Sequence, residues 1–256
     1  MRILEPITHH VALLSEGIFV RALFLQHDHV SPPGPVAERF AQRGYEVIER
    51  VVVAPEDFRA PNVPYEFPDP RDFDVIVPMG APWGAWDDDK IGAWLLPEIE
   101  WIKTADTLDV PVFGICFGGQ LLARAHGGTV SRAPVAEIGW TAVWSDEPEL
   151  VGQGPWFEFH YDRWQVPPEA REVARNSHAS QAFVIRKNLA VQFHPELTAS
   201  TLHGWLELDG RELVVADGQD PEILHQHTVA EGAAARLRAH ALVDAFLDRV
   251  AFPGPN

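Results

Sequence analysis

Hydrophobic residues follow two different periods in the first half of the chain. Short unbroken apolar runs, typical of buried β-strands, occupy residues 21–26, 45–53, 73–80 and 110–115. Apolar residues at helical spacing, which predict helices with one buried face, occupy residues 36–45, 87–105 and 118–128. This alternation predicts an α/β fold, with a mostly parallel central sheet and helices on both faces.

The second half of the chain has a different pattern. Short strand-like stretches with little helix between them occupy residues 138–146, 156–164, 171–176, 182–187 and 189–194. They predict a mixed or antiparallel extension of the central sheet. Helical spacing returns at residues 200–210 and 231–250. We expect the second of these helices to pack on the core.

Proline and glycine mark several expected boundaries. Gly44 is expected to cap the end of the helix over residues 36–45. Pro97 lies inside the predicted helix over residues 87–105 and predicts a break or kink there. The Pro-dense segment 54–71 lies between two strands of one expected sheet, so it is interpreted as a long loop.

The chain length of 256 residues favours one large domain. No internal repeat or clear linker divides it. Residues 1–20 have no clear periodicity and are predicted to be an N-terminal extension. Residues 21–207 are expected to form the principal domain, with residues 208–256 as a helical extension packed on that same domain.

Charge and cysteine content narrow the classes of function. The formal net charge of −17 argues against nucleic acid and against an anionic membrane surface as partners. No signal peptide is evident, and no apolar run approaches the ~20 residues that a membrane span needs. The single cysteine excludes an intrachain disulfide and a multi-cysteine zinc site. These features favour a cytoplasmic protein.

That single cysteine, Cys116, lies at a predicted strand-to-helix junction. The segment Gly114-Ile115-Cys116-Phe117-Gly118 fits the pattern G-x-nucleophile-x-G, in which small neighbours permit a tight turn. A thiol at a helix N-terminus is favoured as the reactive thiolate, because the helix dipole stabilises negative charge there. The alternative is that Cys116 is a small, buried apolar residue.

A base for such a thiol is offered by the segment His194-Pro195-Glu196. In an extended chain, residues two apart share a face, so Glu196 could hold the His194 ring in one orientation. Taken alone, this tripeptide would be interpreted as a surface loop.

The two motifs together resemble the class I glutamine amidotransferases, and in particular the glutaminase domain of GMP synthetases. G-x-C-x-G-G-Q is followed about eighty residues later by F-H-P-E. The segments DVIVPMGAP, GICFGGQLLARAHGGTV, EIGW and FHYDRWQVPP also resemble family segments. The similarity covers roughly residues 21–207, so this part is expected to be the catalytic domain with the family's flavodoxin-like fold.

The resemblance implies roles for the motif residues. Cys116 would attack the γ-amide carbon of glutamine and form a thioester. His194 would take the thiol proton and return it to ammonia, and Glu196 would orient His194. The N–H groups of Ala81 and Phe117 would form the oxyanion hole.

Substrate-binding residues are implied in the same way. Gly80 and Gln120 would contact the substrate, and His160 and Tyr161 would close the pocket. The chain departs from the family at Ala81, because the family's usual Gly-Gly-Pro is Gly-Ala-Pro here. The N–H group is retained, so the role survives if the backbone at this position suits alanine.

Two functions fit this chemistry. The chain could release ammonia from glutamine for a separate synthase chain, or it could be a stand-alone hydrolase or peptidase for γ-glutamylated small molecules or peptides. A third alternative is a relative that only binds a ligand or a partner protein. No cofactor is expected, since no phosphate-binding G-x-x-x-x-G-K-[ST] motif occurs.

Other candidate residues carry weaker signals. His27 with His29, and His225 with His227, have an H-x-H spacing that can bind metal, but no third ligand is evident and no metal site is expected. Trp83 flanks the oxyanion loop and could line the substrate mouth or pack under the following helix, as could Trp86.

Overall fold

Residues 20–254 are described here by a computed structural model. Its first half contains four parallel strands: β1 (Arg21–Gln26), β2 (Glu46–Val51), β3 (Val75–Pro78) and β4 (Phe113–Ile115). Their order is β2-β1-β3, and a parallel bridge between Ile76 and Val112 places β4 beside β3. The predicted strand over residues 21–26 is confirmed with the same bounds.

Three helices connect these strands: α1 (Gly34–Gln42), α2 (Asp88–Thr107) and α3 (Phe117–Ala125). Side chains of β1 alternate between the two faces of the sheet. Phe24 packs edge-on against Phe40 of α1, whereas Leu23 joins the cluster under α2 that contains Trp94. The expected helices on both faces of a parallel sheet are therefore confirmed.

The second half of the sheet is mixed. Its strands are β5 (Thr129–Ser145), β6 (Gly154–Gln165), β7 (Arg171–Arg175), β8 (Ser180–Ile185) and β9 (Asn188–Val191). The order is β4-β9-β8-β7-β5-β6, with β9 parallel to β4 and the other pairs antiparallel. This confirms the predicted extension.

One pairing positions the candidate site. Ile115, the last residue of β4, pairs with Val191, the last residue of β9. Two parallel strands that end together bring the segments after them to the same edge of the sheet. Cys116 and His194 therefore leave the sheet as neighbours, although 78 positions separate them in the sequence.

The tail is helical, with α4 (Ala199–Trp205), α5 (Arg211–Ala216) and α6 (Pro221–Ala245). Between α4 and α5, Leu208 has non-helical backbone angles and interrupts the helix. The helix predicted over residues 231–250 begins earlier, at Pro221, because the Asp220 side chain caps it by accepting from Glu222 N at 2.9 Å. Ion pairs from Arg39 and Arg43 to Asp244 join α6 to α1.

The predicted break at Pro97 is absent, since α2 runs unbroken from Asp88 to Thr107. Pro97 lies on the exposed side of α2, where water can satisfy the carbonyl that the missing N–H leaves free. On the buried side, Trp94 and Trp101 donate their indole N–H groups to Pro61 O and Pro68 O. These bonds hold the Pro-dense segment against α2, and apart from two short 3₁₀ turns it forms the expected loop.

The predicted extension over residues 1–20 lies outside the described residues apart from Val20. The division of the chain at residues 20 and 207 stays a prediction. Within residues 20–254, no helix combines the length and apolar character needed to cross a bilayer.

Candidate active site

Cys116 lies on a strained turn between β4 and α3. Its backbone angles are φ +50° and ψ −104°, a left-handed conformation that residues other than glycine rarely adopt. The Cys116 N–H donates to Val191 O at 2.8 Å, which ties the turn to the end of β9. The thiol is thereby presented at the N-terminus of α3 rather than packed inside the sheet.

Two glycines make this turn possible. A Cβ atom on Gly118 would lie 2.0 Å from Pro78 O, and one on Gly114 would lie 2.5 Å from Gly118 O. Neither position has room for a methyl group. The sequence pattern around Cys116 therefore follows from close backbone approach between β3, β4 and α3.

His194 follows β9 and pairs with Glu196. Nδ1 of His194 is 2.7 Å from Oε1 of Glu196, and both side chains are buried. The His194 N–H donates to Phe157 O at 2.8 Å, and the Trp205 ring packs edge-on against the imidazole. The backbone and the ring of His194 are both held in place.

The charge state of His194 follows from these neighbours. Burial disfavours the imidazolium, but the charge of Glu196, the adjacent Cys116 and hydrogen bonds raise the pKa of His194 well above its ordinary value. Nε2 of His194 makes no hydrogen bond to a described residue, and His194 and Cys116 line the same pocket. The arrangement leaves one ring nitrogen available to exchange a proton at the pocket.

Gln192 is a neighbour of the thiol that sequence analysis missed. Its Nε2 donates to Cys116 Sγ at 3.6 Å, and its Oε1 accepts from Gln120 at 3.3 Å. Gln120, a predicted substrate-binding residue, lines the pocket but spends this donor on Gln192. The Q-F-H-P-E spacing placed Gln192 two residues before His194, and this was an available signal.

The predicted oxyanion residues lie around the same pocket. Gly80, Ala81 and Phe117 all line it, and within residues 20–254 the N–H groups of Ala81 and Phe117 have no protein acceptor. Gly118 N donates to Met79 O at 3.0 Å, which fastens α3 to the loop that contains Gly80. Ala81 does not have a positive φ, so its backbone suits alanine as well as glycine.

The two other predicted pocket residues are used differently from each other. The His160 side chain is buried, with Nδ1 2.9 Å from Asp162 O and Nε2 3.2 Å from Glu158 Oε2. Burial raises the pKa of Glu158, against the lowering effect of His160. The Tyr161 ring lies at the rim, under the guanidinium of Arg132.

The pocket has a volume of about 170 Å³ and an aromatic rim. The rim side chains are Phe58, Trp83, Phe159, Tyr161 and Trp205. Trp83 both lines the pocket and packs against Trp94 of α2, so the two interpretations of this residue hold together. Trp86 is largely exposed and does not line the pocket.

The H-x-H pairs do not converge. His27 bonds to Gly80 O and Glu98, whereas the His29 ring packs against Phe58. His225 faces His203 on neighbouring helices. In the part of the chain that the structure describes, no group of three or more His, Cys, Asp or Glu side chains could hold a metal ion.

Several known proteins are similar to about half of this chain. The family model for "Glutamine amidotransferase class-I" matches residues 87–209. One of the separate subunits of the glutamine-hydrolysing GMP synthase of Sulfolobus acidocaldarius is 33% identical over 138 residues, covering 50% of this chain and 69% of that protein. The GMP synthase of Desulfotalea psychrophila is 32% identical over 139 residues, and there the match covers 50% of this chain but only 25% of the relative.

A relative with a different name is also similar. The γ-glutamyl-L-1-hydroxyisopropylamide hydrolase of a Pseudomonas species is 29% identical over 154 residues, which is 53% of this chain and 52% of that enzyme. The chain therefore spans about half of this hydrolase and about a quarter of the long GMP synthases that it matches.

Two solved structures share the architecture over most of the chain. A glutamine amidotransferase from Thermotoga maritima superposes with a TM-score of 0.76 at 23% identity, covering 90% of this chain and 98% of that one. One from Methylobacillus flagellatus gives a TM-score of 0.73 at 27% identity, with 90% and 94% covered.

Proposed function

Because the chain belongs to the class I glutamine amidotransferase family and has that family's fold, we propose that it hydrolyses the γ-amide of glutamine through a thioester on Cys116. The observation that carries the proposal is the buried His194–Glu196 pair beside a cysteine on a strained turn, in one pocket. A cysteine that only filled the core would need neither the strained backbone nor the adjacent base.

The first half of the reaction forms the thioester. Sγ of Cys116 attacks the γ-carbonyl carbon while His194 takes the thiol proton. As the tetrahedral adduct collapses, the C–N bond breaks and His194 returns this proton to the departing ammonia. Glu196 keeps Nδ1 of His194 protonated, so that Nε2 is the nitrogen that exchanges the proton.

The second half regenerates the thiol. Water attacks the thioester, His194 takes a proton from that water, and the C–S bond breaks to release glutamate. The proton then returns to Cys116. In both halves, the N–H groups of Ala81 and Phe117 would stabilise the oxyanion, consistent with their lack of a protein acceptor within residues 20–254.

The leaving amine defines two candidate functions. Ammonia from glutamine would be passed to a separate synthase chain, a role suggested by the Sulfolobus relative, which is named as one subunit of a GMP synthase. A larger γ-glutamyl amide is the second candidate, favoured by the aromatic rim and by the similarity to the Pseudomonas hydrolase. Hydrolysis of a γ-glutamyl C–N bond is common to both.

Steady-state rates on glutamine and a panel of γ-glutamyl amides test the proposal. In Cys116→Ala, turnover should fall by about 10³-fold or more, since this substitution removes the nucleophile. Cys116→Ser is the matched control for shape, and it should retain the fold and lose most turnover. Full turnover in either variant would contradict the proposal. Turnover of γ-glutamyl amides without glutamine would support the second candidate.

A further inference from the structure

His27 is a buried histidine that the proposed reaction does not use. It lies just after β1 with no exposed surface. Its Nδ1 is 3.1 Å from Gly80 O, and its Nε2 is 3.0 and 3.1 Å from the two carboxylate oxygens of Glu98. Gly80 O can only accept, so Nδ1 carries a hydrogen and donates it to this carbonyl.

The hydrogen bond from His27 fixes a peptide plane of the site. No cis peptide bond occurs within residues 20–254. In a trans peptide the C=O and N–H bonds point in opposite directions. With the Gly80 carbonyl held toward His27, the Ala81 N–H must point away from His27. Gly80 and Ala81 both line the pocket, and a Cβ built on Gly80 would lie 3.1 Å from His194 Cε1 and 4.0 Å from Cys116 Cβ.

The His27 ring is itself rigidly held. It stacks on Trp94 of α2 at 5.4 Å and packs edge-on against Phe117 at 4.8 Å between centroids. Glu98, also on α2, is fully buried and accepts from the second ring nitrogen. The ring therefore contacts both residues whose N–H groups are the proposed oxyanion donors: Phe117 through its side chain and Ala81 through the Gly80 carbonyl.

We infer that His27 is a positioning residue, which orients the Gly80–Ala81 peptide so that the Ala81 N–H faces the developing oxyanion, and that Glu98 holds His27 in place. This inference rests on the proposed function, since it assigns a role within that same oxyanion hole. Burial disfavours the imidazolium, but Glu98 and the Gly80 carbonyl raise the pKa of His27. The Nδ1 hydrogen is required whether or not the ring is charged.

Two substitutions of similar size separate positioning from packing. In His27→Asn the side-chain amide nitrogen can take the place of Nδ1 and donate to Gly80 O. In His27→Gln the amide nitrogen takes the place of Nε2 instead, so the bond to Gly80 is lost. Both variants remove the ring and its stacking on Trp94 and Phe117. They differ mainly in the donor to the Gly80 carbonyl.

Two reagents then report on different parts of the site. Acetylation of Cys116 by p-nitrophenyl acetate passes through an oxyanion, whereas alkylation by iodoacetamide does not. Cys116 is the only cysteine in the chain, so both rates can be followed by intact mass. Neither reagent is a γ-glutamyl compound, so the ratio of the two rates is readable even if the protein fails to hydrolyse glutamine. Such a failure would contradict the proposed function alone.

In His27→Gln we expect acetylation to slow by about 10- to 100-fold, since one oxyanion donor loses its orientation. Alkylation should stay within about twofold of the wild-type rate, and His27→Asn should recover most of the acetylation rate. Equal slowing of both reactions, no slowing of acetylation, or equal acetylation rates in the two variants would each overturn the inference.

A second pair of variants protects the test against misfolding at position 27. In Glu98→Gln the amide can donate to Nε2 of a neutral His27, which keeps the Nδ1 hydrogen on the Gly80 carbonyl. In Glu98→Leu the ring loses this partner. Acetylation should be slower in Glu98→Leu than in Glu98→Gln, with alkylation unchanged in both. Equal acetylation rates would contradict the role of Glu98.

Discussion

Gly118→Ala is the substitution whose effect can be worked out most directly from the geometry of the turn. The new Cβ would lie 2.0 Å from Pro78 O and 2.6 Å from Pro78 C. A carbon and a carbonyl oxygen normally approach to about 3.3 Å. The end of β3 and the start of α3 must therefore separate by about 1.3 Å, and no flexible side chain can absorb this movement, because the closest atoms are backbone.

This displacement acts on both stability and chemistry. Overpacking of a core usually costs 1–3 kcal/mol, and a clash with backbone belongs at the upper end, about 3 kcal/mol. At 2–4 °C per kcal/mol, the midpoint of thermal unfolding should fall by roughly 6–12 °C. Cys116 lies two residues before Gly118, and a shift of about 1 Å at a nucleophile can cost about 100-fold in rate.

Thermal melting and the rate of γ-glutamyl hydrolysis measure the two effects. Gly232→Ala is the matched control, because a Cβ there meets nothing within 4 Å in the middle of α6. That variant should be more stable by about 0.5–1 kcal/mol and fully active. A Gly118→Ala protein with wild-type melting temperature and turnover within twofold would refute the account of the turn.

Three further predictions concern His194 and the tail. Glu196→Gln removes the charge 2.7 Å from His194 Nδ1 and should lower kcat by about 10³- to 10⁴-fold with little change in KM, as initial rates would show; a loss below tenfold would contradict it. Because the pKa of His194 is raised, its imidazolium should persist above pH 6.5 and be lost as the pH rises through the higher pKa. NMR titration of the Cε1 proton should therefore give a midpoint above 6.5 in the wild type and a lower one in Glu196→Gln, whereas a wild-type midpoint at or below 6.5 would be inconsistent with this pairing. Asp244→Ala breaks partly exposed ion pairs to Arg39 and Arg43 and should cost no more than about 1 kcal/mol in denaturant unfolding; a loss above about 3 kcal/mol would show a larger role.

Elements with strong local patterns could be predicted from the sequence. β1 is buried along almost its whole length, so its apolar run had the same bounds as the strand. The start of α6 was missed although Asp220 and Pro221 are both helix-start signals, because the apolar spacing before residue 231 is weak. Pro97 misled because its local cost is outweighed by the buried face of α2, which is a tertiary effect.

The same distinction applies to the candidate site. Cys116, His194 and Glu196 belong to short motifs whose spacing is visible in the sequence, and their catalytic roles remain predictions. His27 and Glu98 lie 71 residues apart and meet only because β1 and α2 pack on the same face of the sheet. No local pattern could indicate that pairing, and the sequence suggested metal binding for His27 instead.

The central claim is that Cys116 carries a γ-glutamyl thioester, and its most direct test is acid quenching during turnover. Wild-type protein mixed with L-γ-glutamyl-p-nitroanilide and quenched should carry one γ-glutamyl group, confined to the peptide that contains Cys116 and removed by hydroxylamine. Cys116→Ala should carry none and release no p-nitroaniline. Release of p-nitroaniline by Cys116→Ala, or an adduct on any other peptide, would contradict the account.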